Sequence, residues 1–199
     1  MASVSAIHAL TSGLAQHLSR AYQRRPMAGI TCKFEPTGVS DFKKLDGQDT
    51  KLTLLLYRIT HNEHQRNRPP SALPFGTPPP LAVNLHLLVS IWADTALKEQ
   101  SLLAWAMREL HLRPVLDRSL FADVGAYAAG DLVSLTPEDL TLDDLSKLWQ
   151  MLVPPLRPSL GYVARNVKLD LEAEPDHEPV VATRITLDDD VLAVAEGAR

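Results

Sequence analysis

Residues 81–92 alternate in a pattern that a strand explains and a helix does not. Every odd position is aliphatic, whereas the even positions mix polar and apolar side chains: Leu81, Val83, Leu85, Leu87, Val89 and Ile91 against Asn84, His86 and Ser90. A period of two over this length predicts a long strand with one face in the core. Residues 52–60 are apolar on both faces and predict a neighbouring, more buried strand. Because a loop is enough to join them, we expect the two strands to pair antiparallel.

The connection between these strands, residues 61–80, is long, polar and rich in proline. A connection of this length without periodicity is usually either functional or disordered. Arg66, Asn67 and Arg68 lie in its first half and offer planar donors that could bind carboxylates or backbone carbonyls of a neighbouring subunit. A solvated loop is the alternative interpretation, and Arg157 has the same two interpretations.

The remaining elements are shorter and change period along the chain. Apolar residues at helical spacing predict a first helix that ends at Pro26, a second that starts at Asp94 or Thr95, and a third capped by Thr141. Further strands are expected over 29–36, 132–135 and 160–171, a turn-rich connection over 37–50, and a short helix is possible over 115–121.

These elements predict an α+β fold with a mainly antiparallel sheet and helices packed on one side of it. We expect residues 1–169 to form a single domain. Residues 170–199, here called the acidic arm, hold an apolar alternation over 181–187 between acidic stretches and are expected to be extended or partly mobile.

Composition excludes several classes of protein. A hydrophobic share of 45% and a charged share of 22% are those of an ordinary globular protein. Residues 1–100 carry a net charge of +4 and residues 101–199 a net charge of −8, and a pI near 6.0 argues against nucleic acid as a partner. No apolar run reaches the roughly 18–20 residues of a membrane span. With one cysteine and no leader pattern, we expect the protein in the cytoplasm of the producing cell.

Candidate catalytic and metal-binding groups are sparse. The sequence has no phosphate-binding loop, no dinucleotide fingerprint and no nucleophile elbow. His61 and His64 have a spacing that a metal could use, but no further ligand lies nearby in the chain. Cys32 belongs to an alternating apolar run and is interpreted as a small buried side chain, and His86 as a satisfied, half-buried histidine. We therefore expect no cofactor, no metal and no enzymatic activity.

Several short motifs follow one another in a characteristic order over most of the chain. They are Leu56-Tyr57-Arg58, Asn67-Arg68, Pro80-Leu81-Ala82, Pro114-Val115-Leu116, Leu148-Trp149 and Arg157-Pro158-Ser159 with Tyr162. In this order and spacing the chain resembles the amino-terminal domain of the cap, or tail terminator, proteins of extracellular contractile injection systems. These are phage-tail-like particles of the antifeeding prophage and Photorhabdus virulence cassette type. The resemblance runs from the first helix to about Lys168.

The resemblance implies a structural subunit without enzymatic activity. It implies a homo-hexameric ring on the distal end of the particle, which ends polymerisation of the inner tube protein and the sheath protein. It also implies an assembled particle that can be released from the cell. Together with the long connection and the alternation after Pro179, it leads to a hypothetical interface of ten residues: Tyr57, Arg58, Arg66, Asn67, Arg68, Arg157, Val181, Arg184, Ile185 and Leu187.

Two other functions remain open from the sequence. A small adaptor or assembly chaperone would share the fold but stay monomeric. A small hydrolase would need Cys32, His61, His64 and His86 to converge in one pocket.

Overall fold

The computed structural model describes residues 5–45, 48–62, 81–120, 127 and 131–169. The described chain contains four α-helices, six strands and one short 3₁₀ turn. In chain order they are α1 (Ala6–Arg24), β1 (Lys33–Pro36), α2 (Val39–Phe42), β2 (Lys51–His61), β3 (Leu81–Trp92), α3 (Ala96–His111), β4 (Val115–Leu116), the 3₁₀ turn Arg118–Leu120, β5 (Val133–Glu138), α4 (Leu142–Leu152) and β6 (Ser159–Leu169).

The six strands form one sheet in the order β1-β2-β3-β6-β5-β4. Strands β2 and β3 pair antiparallel over nearly their whole length, and β6 pairs antiparallel with both β3 and β5. Only β1 runs parallel to its neighbour, β2. The predicted α+β class, the mainly antiparallel sheet and the antiparallel pairing of the two long strands are confirmed.

The larger core lies on the face formed by the odd residues of β3. Leu85 and Leu87 are fully buried there, and α1 and α3 cover them with apolar faces that include Leu10, Leu18 and Leu102. Tyr22, Phe34 and Trp105 make mutual ring contacts at 5.1–5.6 Å between centroids and join α1, β1 and α3. The period of two in β3 and the helical periods of α1 and α3 therefore meet in one core.

A second, smaller core lies on the opposite face of the sheet. Leu55, Leu88 and Trp92 point to this side and are covered by Phe42 of α2 and Trp149 of α4. The helices thus flank the sheet on both faces, whereas the sequence predicted them on one. The reason is the apolar character of both faces at this end of β2 and β3, since such strands must be covered on each side.

The structure changes four further expectations about single elements. Strand β2 is less buried than β3, not more, because Arg58 and Ile59 in its second half are exposed. Residues 115–121 do not form a short helix: Val115–Leu116 is a strand, Arg118–Leu120 is a 3₁₀ turn, and Phe121 lies outside the described residues. Strand β5 is longer than predicted and continues through Pro137 to Glu138. The expected turn-rich connection contains α2, a single helical turn that forms because Phe42 enters the smaller core.

The predicted caps of α3 and α4 are confirmed, with Thr95 rather than Asp94 at the start of α3, whereas Ser5 precedes α1 without a side-chain capping hydrogen bond. The backbone N–H of Lys98 donates to Thr95 Oγ1 at 3.4 Å, and that of Asp144 donates to Thr141 Oγ1 at 3.2 Å. Across the described ranges, no helix has the length and apolar character that crossing a membrane would require.

Candidate functional site

An irregularity in β2 places one extra residue opposite β3. Leu56 pairs with Leu87 and Arg58 pairs with His86, so Tyr57 has no partner of its own in the ladder. A β-bulge of this kind bends the strand and redirects the side chains around it. Tyr57 and Arg58, two residues of the predicted interface, lie at this bulge.

Four polar side chains connect the bulge to the rest of the sheet, and we call them the polar network: Tyr57, Thr60, His86 and Glu138. The Tyr57 hydroxyl donates to Glu138 Oε2 at 2.7 Å. His86 Nδ1 lies 2.9 Å from Glu138 Oε1, and Thr60 Oγ1 lies 3.0 Å from His86 Nε2. The network joins β2, β3 and β5, although β6 lies between β3 and β5.

Gly161 of β6 is the residue that lets Glu138 reach across. It pairs directly with Glu138 and lies between that residue and β3. A Cβ atom at this position would lie 2.7 Å from the carbonyl oxygen of Glu138 and 3.1 Å from the Leu140 side chain. Close approach of neighbouring chain segments is a common reason for glycine inside a strand.

The hydrogen bonds of the network have a consistent assignment. In the tautomer with its proton on Nδ1, His86 donates to the Glu138 carboxylate, and its Nε2 accepts from the Thr60 hydroxyl. Burial, together with the hydrogen bond to Glu138, raises the pKa of Tyr57 well above its ordinary value, so its hydroxyl stays a donor. His86 has partners on both nitrogens, which confirms the interpretation of a satisfied histidine, but at 9% exposed it is buried rather than half-buried.

This arrangement best supports a structural role, in which the hydrogen bonds hold the strands of the sheet together. The order hydroxyl, imidazole, carboxylate resembles that of hydrolytic triads. Here Thr60 and His86 are diagonal neighbours on paired strands, and a second donor, Tyr57, shares the carboxylate. Each bond therefore holds one strand to another around the bulge. Neither Thr60 nor Glu138 was singled out from the sequence, because only the strand order brings them to His86.

The arrangement required of a small hydrolase does not form among the described residues. Cys32 packs against the larger core, His61 lies at the exposed end of β2, and His86 lies on the other face of the sheet. Burial raises the pKa of the Cys32 thiol to about 12, which disfavours the nucleophilic thiolate. His64 lies outside the described residues. Within those residues no group of three or more His, Cys, Asp or Glu side chains could hold a metal ion.

The predicted interface residues fall into three groups. Tyr57 and Arg58 lie at the bulge, where Arg58 is exposed beside the network. Arg157 is mostly buried, where Nη1 donates to Glu99 Oε1 and the guanidinium lies 4.9 Å from the Trp92 ring centroid. The others lie outside the described residues: Arg66, Asn67, Arg68, Val181, Arg184, Ile185 and Leu187.

Replacing Glu138 with glutamine should lower the free energy of unfolding by about 1–2 kcal/mol, since hydrogen bonds to a charged acceptor are stronger than neutral ones. The amide keeps the size of the side chain but turns one acceptor into a donor that faces Tyr57 or His86. Urea-induced unfolding followed by tryptophan fluorescence measures the change. Glu35→Gln, on a partly exposed side chain of β1, is the matched control and should change stability little. Equal changes in the free energy of unfolding for the two variants would contradict a structural role for the polar network.

Most of the chain matches a known protein family. Residues 7–183 match the family described as the Pvc16 N-terminal domain. The chain belongs to this family. The match confirms the resemblance identified from the motifs, and it extends 14 residues beyond the last described residue, Leu169.

Two solved structures resemble the Pvc16 N-terminal domain described here. One is the sheath/tube terminator of an extracellular contractile injection system, PVC, in the extended state, with a TM-score of 0.51 and 17% identity; the match covers 88% of this chain and 62% of that chain. The other is the anti-feeding prophage cap, described as a tube-terminating cap, with a TM-score of 0.47, 19% identity and coverage of 86% and 59%. This chain therefore spans about three fifths of their length. No curated protein sequence matches it.

Proposed function

We propose that this chain is a cap, or tail terminator, subunit that ends polymerisation of tube and sheath at the distal end of a contractile injection particle. The observation that carries the proposal is membership of the Pvc16 N-terminal domain family over residues 7–183. The fold supports it, since 88% of the chain superposes on a protein described as a PVC sheath/tube terminator. In this role the chain is structural, acts as a homo-hexameric ring and performs no catalysis.

The polar network gives this role a physical basis. Strands β2 and β3 form a rigid pair, and the network fixes the last third of β2 to β5 around the Tyr57 bulge. Arg58 and the start of the 63–80 segment follow directly from this fixed point. A contact surface held in one conformation loses less entropy on binding than a mobile one. We therefore assign the contact with the tube or a ring neighbour to Arg58 and residues 61–80.

Reversing the charge of Arg66 and Arg68 tests this assignment. The double variant Arg66→Glu/Arg68→Glu should lose co-sedimentation with tubes of its own particle by at least tenfold, because paired guanidinium–carboxylate contacts become repulsive. The control Arg20→Glu/Arg24→Glu carries the same change of charge on α1. Retained binding of the first variant would identify residues 63–80 as a solvated loop. Sizing the wild-type protein with and without tube protein separates a ring on tube ends from a monomeric adaptor.

A second contact is assigned to the segment with Val181, Arg184, Ile185 and Leu187. Its alternation suits strand addition to the sheet of the sheath or of a neighbouring subunit. Deleting residues 179–199 should therefore weaken sheath attachment while the monomer stays folded by circular dichroism. Full-length particles with unchanged sheath after this deletion would contradict the assignment.

A further inference from the structure

Val153, the residue that follows α4, has a backbone conformation that is unusual for its type. Its φ of 81° lies in the left-handed region, where helix C-termini usually place glycine. A β-branched side chain is disfavoured there because its Cβ crowds the backbone. The valine side chain is mostly exposed, so contacts within its own subunit offset little of this strain. Strained residues of this kind concentrate at functional sites.

The valine belongs to an exposed apolar surface at the end of α4, which we call the α4 patch: Met151, Val153 and Leu156. These side chains are between 51% and 68% exposed. The next residue, Arg157, binds Glu99 in the first turn of α3, so the patch lies beside the start of that helix. The last turn of α4 contains no basic residue, and its carbonyl groups form the negative end of the helix dipole. The α4 patch is therefore apolar and carries a partial negative charge.

A second exposed apolar surface lies where α3 ends and β4 begins, and we call it the β4 patch: Leu112, Val115 and Leu132. Leu112 and Val115 flank this junction, and Leu132 precedes the β5 residue that pairs with Leu116. The three side chains are between 49% and 66% exposed. Arg113 is exposed within the same junction, and across the described ranges it has no carboxylate at ion-pair distance. The β4 patch is therefore apolar and positively charged.

The two patches lie at opposite ends of α3. This helix has 16 residues and is about 24 Å long. The α4 patch lies beside its start, and the β4 patch follows its end, so the two patches of one subunit cannot cover each other. Between two copies they match in two independent respects. Apolar side chains face apolar side chains, and Arg113 of one copy faces the negative end of α4 in the other.

We propose that the α4 patch of one copy of this chain binds the β4 patch of the next copy, head to tail. A contact between two different surfaces of identical subunits can continue from copy to copy and close into a ring. The inference rests on the proposed function in one respect, since the homo-hexameric ring supplies the second copy, and it names the surfaces that close this ring. It also explains the strain at Val153, because the contact buries a side chain that a glycine would lack.

Mixing two variants of the full-length chain tests the head-to-tail geometry. Met151→Glu/Leu156→Glu disables the α4 patch, and Leu112→Glu/Leu132→Glu disables the β4 patch, all at exposed positions outside the cores. Light scattering over a concentration series, without tube protein, measures self-association. We expect the wild-type chain to assemble and each variant alone to associate at least about a hundredfold more weakly, because charges cannot be buried without a partner. An equal mixture should form dimers and nothing larger, since each pair retains one intact α4 patch and one intact β4 patch.

The matched control is Val39→Glu/Leu142→Glu, which adds the same charge at two exposed apolar residues outside both patches. It should assemble like the wild-type chain. A wild-type chain that stays monomeric at every concentration would overturn the proposal, as would a mixture that stays monomeric or a single variant that still assembles. Because no tube is present, loss of tube binding with intact self-association counts against the cap function alone.

Val153→Gly tests whether the strain belongs to the contact. Glycine adopts this φ without strain, so the urea midpoint of the monomer should rise. Self-association should weaken about tenfold, the effect of losing one buried valine side chain. Asn166→Gly is the matched control at the other non-glycine residue with a positive φ in the described chain. It should leave self-association unchanged. Unchanged self-association of the Val153 variant, or a fall of its urea midpoint, would contradict the role assigned to this residue.

Discussion

Replacing Trp92 with alanine is expected to lower the free energy of unfolding by about 4 kcal/mol. The indole is 1% exposed and lies at the centre of the smaller core, with ring contacts to Phe42 at 5.4 Å and Trp149 at 6.0 Å. Its Nε1–H donates to Thr53 Oγ1 at 3.0 Å, so the truncation also leaves a buried hydroxyl without that donor. The variant removes the contact on which α2, α4 and Arg157 converge.

Equilibrium unfolding in urea followed by circular dichroism measures this change without depending on tryptophan signal. The control is Leu97→Ala on α3, where the side chain is 76% exposed and the change should stay within about 0.5 kcal/mol. A loss below about 1.5 kcal/mol for the Trp92 variant would show that the smaller core contributes little to the stability of the sheet.

Replacing Gly161 with alanine is expected to cost about 3 kcal/mol, although it adds a single methyl group. The new Cβ would lie 2.7 Å from a backbone oxygen of β5, which cannot move without shifting that strand. Movement of β5 also carries Glu138 away from Tyr57 and His86. The substitution should therefore weaken the polar network and stability together.

Gly38→Ala is the matched control for this substitution. A Cβ at Gly38 has only Ser40 Oγ nearby, at 3.9 Å, and the backbone has an extended φ of −84°. This variant should be neutral or slightly more stable, because alanine restricts the unfolded chain. Urea midpoints report stability, and the NMR signals of the His86 ring report whether the network persists. An equal response of both glycines would contradict the packing argument for Gly161.

If the cap function holds, the Gly161 variant has a further consequence at the proposed contact with the tube. The network fixes the bulge from which Arg58 and the 63–80 segment follow. A loosened bulge should weaken binding to tube ends even under conditions where the variant is fully folded. Stability and binding are thus linked through Gly161, a residue outside the proposed contact surface.

The local rules were sufficient for most elements of this chain. The alternation of Leu85, Leu87 and Val89 predicted strand β3, and the candidate caps, Asp94 or Thr95 and Thr141, located the starts of two helices. The order and spacing of short motifs, which include Tyr57 and Arg58, also pointed to the family to which the chain belongs. These signals are visible because each depends on residues within a few positions of one another.

What the sequence by itself determined was therefore the type and order of the main helices and strands, the α+β class and the family. The tertiary structure alone decided that helices cover both faces of the sheet, that Arg157 is used inside the molecule by Glu99 and Trp92, and that Glu138 meets His86. The physical reason is strand order. Glu138 and His86 are 52 positions apart and belong to strands that are not even neighbours. Only the register of β3, β6 and β5, with a glycine opposite Glu138, brings them within hydrogen-bond distance.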